Sequence, residues 1–274
     1  MQKVEVEKII ETKNPELARK VPRFVYRWLK KTIHQQELND GLAKLSHLEG
    51  IDFADGVIDL FDMNLIIHGE DNLGAIDRPI LVANHPLGGF DGVVLMSVVG
   101  RHFPELAVPA NDILMHLKNL QSIFIPVNKT TRSGNSASLF QEALASQKAV
   151  IQFPAGMCSR KKGSVIRDLT WRRSFVVEGR KTSRPIVPVY ISGENSWFFY
   201  TLAKVRKIFR ISFNLEMLFL ADEMFKQRGK TIHIVFGTPI LPHEYSDGST
   251  AGSWARAIKH RVYQLSQIVQ AYDR

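Results

Sequence analysis

Short apolar runs alternate with helical patterns through the middle of the chain. An isolated run at 63–68 predicts a first strand, and six further runs follow at 79–85, 106–110, 122–127, 148–153, 185–192 and 231–236. Between several of these runs, as at 91–101 and 135–147, the sequence favours helices. This alternation predicts the α/β fold class, with a largely parallel mixed sheet that is flanked by helices.

Both ends of the chain are predicted to be helical. Apolar side chains recur at helical spacing between arginines and lysines at 21–34, and they follow one side of an amphipathic helix at 253–272. No linker rich in glycine, serine or proline divides the chain. We therefore expect an N-terminal helical region at 1–60, an α/β core at 61–245 and a C-terminal helix at 246–274 packed on the core.

The chain is basic, with a formal net charge of +9 over 274 residues. Much of the excess lies in 159–184, where nine basic residues stand against the two acids Asp168 and Glu178. The basic residues of this run are Arg160, Lys161, Lys162, Arg167, Arg172, Arg173, Arg180, Lys181 and Arg184. Such a run suits an anionic partner, either a nucleic acid or an anionic membrane surface. Because no helix-turn-helix, RNA-binding aromatic pattern or zinc spacing accompanies it, we expect a membrane surface and no nucleic acid.

Aromatic side chains add to this expectation in the segment 196–225, which mixes Trp, Phe and Tyr with basic residues. A mixture of this kind suits a membrane interface, and a core helix with a solvated face is the alternative. No segment is long and apolar enough to span a bilayer, and the charged N-terminus does not resemble a signal peptide. The single cysteine, Cys158, excludes an intramolecular disulfide. Since the histidines show no ligand spacing, we predict no metal site.

The first candidate for chemistry is the segment Asn-His-Pro-Leu-Gly-Gly-Phe-Asp at 84–91. His85 ends an apolar run, Asp91 begins a helical one, and Gly88 and Gly89 allow a tight turn between them. A carboxylate on one imidazole nitrogen fixes the tautomer, so the other nitrogen can act as a general base. This arrangement is a Ser-His-Asp triad without the serine, whose place a substrate hydroxyl can take. The alternatives are a His–Asp pair that only stabilises a turn, and an Asp91 that caps the helix.

The second candidate is the segment Phe-Pro-Ala-Gly-Met-Cys-Ser-Arg at 153–160, which follows another buried run. Pro154 and Gly156 shape a turn at the end of the predicted strand. Arg160 presents a planar, permanently charged group that suits a carboxylate or a phosphate. The alternative is an ordinary turn followed by a solvated basic face. One interpretation of Cys158 is a nucleophile that pairs with His85 and forms an acyl-enzyme. A bystander thiol is the simpler interpretation.

Together these segments resemble the glycerophospholipid-type acyltransferase family, whose signature is Asn-His-x4-Asp followed downstream by Phe-Pro-Glu-Gly-x-x-Ser. Two further runs, at 123–129 and 187–189, match the family's remaining blocks, and all four blocks occur in the family's order. The residues of these segments resemble those of the hemolysin-like branch of this family. That branch includes enzymes that O-acylate N-(3-hydroxyacyl) amino acids to give ornithine or glycine lipids.

Two departures from the family pattern bear on the acceptor. One extra residue separates His85 from Asp91, and Ala155 stands where the family has a glutamate. Asn128 and Lys129 stand near the position of an expected arginine. These differences argue against a glycerol-phosphate acceptor, and an amino-acid carboxylate would suit Arg160 or Lys129.

The resemblance implies His85 as the general base and Asp91 as the residue that orients it. It also implies substrate contacts from a larger set: Asn84, Gly88, Gly89, Asn128, Lys129, Phe153, Pro154, Gly156, Ser159 and Arg160.

The implied activity is transfer of a fatty acyl chain from an acyl thioester to the hydroxyl of a lyso-lipid. Acyl carrier protein or coenzyme A would carry the acyl group as co-substrate, with no bound cofactor. We expect peripheral attachment to the cytoplasmic side of the membrane. The main alternative is a 1-acylglycerol-3-phosphate-type phospholipid acyltransferase. A lipid hydrolase has less support because no Gly-x-Ser-x-Gly segment is present, and a basic nucleic-acid-binding protein is the last alternative.

Overall fold

A computed structural model describes residues 3–74, 76–111, 114–126, 134–210 and 214–273. Five helices come first in the chain: α1 (Val6–Lys13), α2 (Pro15–Lys20), α3 (Arg23–Thr32), α4 (Gln35–Lys44) and α5 (Gly50–Leu60). The predicted helical character is therefore observed in the described residues of this region, 3–60. The boundaries of the three predicted regions stay a prediction.

Strands and helices then alternate through the rest of the described chain. The strands are β1 (Asn64–His68), β2 (Ile80–Ala83), β3 (Leu106–Ala110), β4 (Phe124–Pro126), β5 (Ala149–Gln152), β6 (Arg160–Lys162), β7 (Val165–Arg167), β8 (Ile186–Ile191) and β9 (Thr231–Phe236). The remaining helices are α6 (Gly89–Gly100), α7 (Gly134–Ala145), α8 (Ser174–Thr182), α9 (Trp197–Ile208), α10 (Leu220–Phe225), α11 (Ala251–Gln264) and α12 (Ser266–Tyr272).

Seven of the described strands form one sheet in the order β1-β9-β8-β2-β5-β3-β4. The five strands from β8 to β4 run parallel to one another. β9 is antiparallel to β8, and β1 is parallel to β9. The α/β fold class with a largely parallel mixed sheet is thereby confirmed. β6 and β7 form a separate antiparallel hairpin.

Helices cover both faces of the sheet, which explains why its central strands are apolar on both sides. One face packs against α5 and α6, with Phe53 and Leu95 in its core. The other face packs against α7, α8 and α11, with Phe175 and Ile258 in its core. The C-terminal helical pattern is observed as α11 and α12, which pack on β8 and β9.

The sequence of the basic run at 159–184 is compatible with a continuous solvated surface, but the structure does not form one. Arg184 is fully buried. Its guanidinium donates hydrogen bonds to five main-chain carbonyls around the C-terminal end of α7, those of Arg78, Ala143, Leu144, Ser146 and Lys148. Arg180 donates to the carbonyls of Tyr245 and Ser249. These two side chains therefore stabilise the fold.

No helix in the described part of the chain is both long enough and apolar enough to cross a bilayer.

Candidate active site

Three segments meet at one edge of the sheet, because β2, β5 and β8 are adjacent parallel strands that end there. They are 84–91 after β2, 153–160 after β5 and 192–196 after β8. The crevice at the carboxyl ends of parallel strands is the usual location of function in open α/β sheets. Both segments that sequence patterns predicted to be functional therefore lie side by side.

The predicted His–Asp pair is formed. Nδ1 of His85 lies 2.9 Å from Oδ2 of Asp91, which also accepts the main-chain N–H of Leu87 at 2.9 Å. Gly88 makes the turn possible, since its φ of 78° is in the region that favours glycine. Asp91 makes no capping hydrogen bond to α6, so its side chain serves the loop and not the helix end.

The two members of the pair differ in environment. Asp91 is fully buried in the first turn of α6, whereas the His85 side chain is 16% exposed. Burial raises the pKa of Asp91, and the hydrogen bonds from His85 and Leu87 only partly oppose this effect. An ionised carboxylate can only accept hydrogen bonds. When Asp91 is ionised, Nδ1 of His85 therefore carries a proton, whether the imidazole is charged or neutral. No described residue hydrogen-bonds to the other ring nitrogen, Nε2.

The loop that carries His85 is held by hydrogen bonds and by a ring contact. The carbonyl of His85 accepts the N–H of Ser159 at 2.7 Å. The carbonyl of Pro86 accepts a hydrogen bond from the Asn195 side chain at 3.1 Å. The ring of Phe153 stacks on the His85 imidazole, with 4.4 Å between ring centroids. These contacts fix both the position and the plane of the imidazole.

Several residues predicted to touch substrate lie beneath the surface of the site. Asn84 is buried, and its amide both donates to and accepts from the main chain of Ile191. Ser159 is buried, and its hydroxyl donates to Asp168 at 2.6 Å. Pro154 is also buried, whereas Gly156 is exposed in a turn with a φ of 66°.

Gly88 is the N-cap of α6 and Gly89 is its first residue. A Cβ atom at Gly88 would lie 3.1 Å from the Leu220 side chain, so this position has little room for a larger residue. A Cβ atom at Gly89 would meet Leu114 only at 3.8 Å.

Arg160 is already paired with a carboxylate. Its guanidinium lies 2.9 Å from Glu216, a fully buried residue that Arg206 also contacts at 2.9 Å. Glu216 therefore competes with any substrate anion for Arg160, which the sequence predicted to bind a carboxylate or a phosphate. The other predicted receptors, Asn128 and Lys129, lie outside the described residues.

Cys158 has the environment of a structural thiol. It is fully buried, and burial raises its pKa although the adjacent Arg160 has the opposite influence. A thiolate, which nucleophilic catalysis requires, is disfavoured under these conditions. This observation supports the bystander interpretation.

Two residues of the site were not singled out from the sequence. Asp168 binds the main chain of His85, and Asn195 binds that of Pro86. Asp168 counted only as an acid within a basic run, and it lies 83 positions from His85. The surrounding segment, Val-Ile-Arg-Asp-Leu, carries no signal of its burial, because Val165 and Leu169 are exposed.

Within the described residues, no group of three His, Cys, Asp or Glu side chains could hold a metal ion. A cleft of about 710 Å³ lies between the α3–α4 junction and the 3-10 helix Leu215–Phe219. Trp28, His34 and Asp222 are among its lining residues, and none of the predicted site residues lines it.

The family model described as Acyltransferase matches residues 8–271, nearly the whole chain. The chain belongs to this acyltransferase family. It is an enzyme that transfers acyl groups, as the resemblance predicted.

Two relatives of this acyltransferase have almost the same length. It is 40% identical to a protein named lyso-glycine lipid O-acyltransferase from Bacteroides thetaiotaomicron, over 96% of this chain and 97% of the relative. It is 39% identical to a protein of the same name from Phocaeicola vulgatus, over 96% of this chain and 95% of the relative. Among solved structures, the 1-acyl-sn-glycerophosphate (LPA) acyltransferase PlsC from Thermotoga maritima is similar, with a TM-score of 0.48 and 17% identity. That similarity covers 78% of this chain and 81% of the other.

Proposed function

We propose that this acyltransferase esterifies the hydroxyl group of a lyso-lipid, with His85 as general base and Asp91 as the residue that orients it. The observation that carries the proposal is the 2.9 Å contact between Nδ1 of His85 and the buried Asp91. This contact keeps the proton on Nδ1 and leaves Nε2 as an acceptor. Since no described residue occupies Nε2, a substrate hydroxyl can bind there.

The reaction proceeds by direct transfer. Nε2 of His85 takes the proton from the acceptor hydroxyl while its oxygen attacks the thioester carbonyl, forming a C–O bond and a tetrahedral intermediate. The intermediate collapses, the C–S bond breaks, and the thiolate of coenzyme A or acyl carrier protein leaves. The imidazolium then returns its proton to this thiolate. Asp91 stabilises the imidazolium throughout.

The start of α6 is suited to the developing oxyanion. The helix has Gly88 at its N-cap and no side chain that caps its first turn. Main-chain N–H groups at an uncapped helix start favour negative charge. Gly89 and Gly92 give the thioester carbonyl close access to this backbone, because neither presents a side chain.

The acceptor that we favour is an N-(3-hydroxyacyl) amino acid, as in glycine-lipid synthesis. The two relatives named lyso-glycine lipid O-acyltransferases support it, because their similarity extends over nearly the full chain. The alternative is a 1-acylglycerol-3-phosphate acceptor. Ala155 in place of the family's glutamate argues against that alternative.

We also propose peripheral attachment to the cytoplasmic side of an anionic membrane, through an aromatic face on α3 and α9. Phe24 and Trp28 are 70% and 48% exposed on α3, and Trp197 is 73% exposed on α9. Trp28 and Phe198 both contact the ring of Phe219, which joins the two helices into one face. Neither helix contains an acidic residue, and both carry several lysines or arginines. Exposed aromatic groups among basic side chains suit an anionic bilayer surface.

Replacement of His85 tests the catalytic part of the proposal. We expect His85→Ala to lower acyl transfer by about 10²–10⁴-fold, the usual effect of losing a general base. His243→Ala, which removes an exposed histidine, is the matched control and should retain activity. Each variant is assayed with acyl-CoA and with acyl-acyl carrier protein, on lyso-glycine lipid and on lysophosphatidate. Circular dichroism verifies folding, and a His85→Ala variant with near-normal turnover would refute the proposal.

A further inference from the structure

Asp168 connects the two segments of the site through its side chain. Its Oδ1 accepts the main-chain N–H of His85 at 3.1 Å and the hydroxyl of Ser159 at 2.6 Å. Its Oδ2 accepts the indole N–H of Trp171 at 2.8 Å. Asp168 is buried, so these three donors replace the water that its carboxylate would otherwise bind.

The main chain of Asp168 is fixed as well, by α11. Its N–H donates to the hydroxyl of Tyr263 at 2.7 Å, and its carbonyl accepts a hydrogen bond from Lys259 at 2.8 Å. A buried carboxylate that is held on both its side chain and its backbone has little freedom to move. Its three donors are therefore held in fixed positions relative to one another.

The hydrogen bond to His85 matters because of where this residue stands in the chain. His85 lies two residues beyond the end of β2, where the ladder of the sheet no longer fixes the main chain. Its carbonyl binds the N–H of Ser159, and Ser159 in turn binds Asp168. Asp168 thus holds the N–H of His85 directly and the carbonyl of His85 through one intermediate residue.

We propose that Asp168 is a positioning residue for His85, and this inference rests on the proposed role of His85 as general base. Asp168 acts through the main chain of His85 and keeps the imidazole in register with Asp91 and with the Phe153 ring. A displacement of about 1 Å at a reacting group is sufficient to lower a rate by about 10²-fold.

Substitution of Asp168 by asparagine replaces one of its two acceptor oxygens with an N–H donor group. An amide offers one acceptor oxygen, so in Asp168→Asn either the His85 side or Trp171 faces an N–H group instead. We expect kcat to fall by about 10²-fold, with the KM values of both substrates little changed. Trp171→Phe alone should keep most of kcat, because the Oδ1 contacts of Asp168 remain.

The double variant Asp168→Asn/Trp171→Phe is the test of rescue. Without the indole donor, the amide oxygen is free to accept from His85 and Ser159, so kcat should recover toward that of Trp171→Phe. Asp168→Ala/Trp171→Phe offers no acceptor and should stay low. If the single Asp168→Asn variant does not fold, the comparison between these two double variants still tests the inference. All kcat values are taken per folded enzyme, well below the unfolding midpoint of each variant.

The outcomes separate this inference from the proposed function. If His85→Ala is inactive while all Asp168 variants keep the kcat of their parents, Asp168 has only a structural role and the inference is overturned. The same conclusion follows if both double variants have equal kcat. If His85→Ala is fully active, the proposed function fails, and the positioning role fails with it.

Discussion

Asp91 meets His85 and the main chain of Leu87 through the same oxygen, Oδ2, at 2.9 Å in both contacts. Its other oxygen, Oδ1, is buried and has no hydrogen-bond partner among the described residues. Burial accordingly raises the pKa of Asp91, which means that the fold opposes its ionisation. The buried carboxylate therefore orients the imidazole, and its ionised form lowers the stability of the fold.

Asp91→Asn should separate these two effects. The N–H of Leu87 keeps the amide oxygen on the side of Nδ1, so the ring tautomer is preserved and only the negative charge is lost. Without that charge the imidazolium is less stable, and we expect kcat to fall by about 10²-fold or more. The free energy of unfolding at neutral pH should stay equal or rise, because an acid with a raised folded pKa destabilises the fold when ionised. Urea denaturation and single-turnover kinetics measure both quantities, and unchanged kcat with lower stability would indicate a purely structural Asp91.

Glu216→Gln tests what Arg160 does. Glu216 is fully buried between Arg160 and Arg206, and both guanidinium groups are mostly shielded from water. Removing the carboxylate charge leaves two poorly hydrated cations side by side, so we expect a loss of about 3 kcal/mol in the free energy of unfolding. Urea denaturation of the purified variant measures this loss. Unchanged stability together with a lower KM for a carboxylate-bearing acceptor would instead support the predicted role of Arg160 in acceptor binding.

The junction of α3 and α4 should make stability depend on pH. The ring of His34 contacts Asp222 at 2.9 Å and Glu37 at 3.3 Å. Burial alone would lower the pKa of His34, but these two carboxylates raise it overall. Because the folded pKa is the higher one, the contribution to stability is complete below the unfolded value of about 6.5 and is lost as pH rises through the folded pKa. Unfolding free energies measured across this range should decline in wild type relative to His34→Gln, and parallel curves would contradict the prediction.

The parts of the site that the sequence predicted are those that depend on neighbouring residues. Apolar runs that end in Asn-His and in Phe-Pro predict strand ends, and adjacent parallel strands bring such ends together. The glycine turn between His85 and Asp91 is short enough to make their contact foreseeable. The contact between His85 and Asp91 therefore required no knowledge of distant contacts. The adjacency of β2 and β5, which pairs Ile80 with Val150, did require it and was not predicted.

The charged residues were harder to predict because their partners are distant in sequence. Arg160 pairs with Glu216, which lies 56 positions away, and Arg184 binds carbonyls about 40 positions earlier. A run of basic residues looks the same whether its members face solvent or satisfy buried acceptors. The structural roles of Asn84 and Ser159 were obscured for the same reason. The Asn84 side chain accepts the N–H of Ile191, and the Ser159 hydroxyl donates to Asp168.

Membrane attachment gives the last prediction, because two basic surfaces compete for it. One variant removes four exposed charges beside the aromatic face, with Arg23, Arg27, Lys204 and Lys207 changed to Gln. The matched variant removes four exposed charges of the basic run, with Lys161, Lys162, Arg172 and Arg173 changed to Gln. A third variant changes the exposed Phe24, Trp28, Trp197 and Phe209 to Ser.

Sedimentation with anionic and neutral vesicles should rank these variants. Each basic residue near an anionic surface contributes about 1 kcal/mol, which salt weakens. Loss of the charges beside the aromatic face should therefore abolish most of the salt-sensitive binding, whereas the matched variant should bind nearly as wild type does. The aromatic contribution comes from burial of apolar surface, so the Ser variant should lose the binding that persists at high salt. If the matched variant loses more binding than the first, the basic run is the contact surface after all. If wild type binds neutral and anionic vesicles equally, charge has no part in attachment.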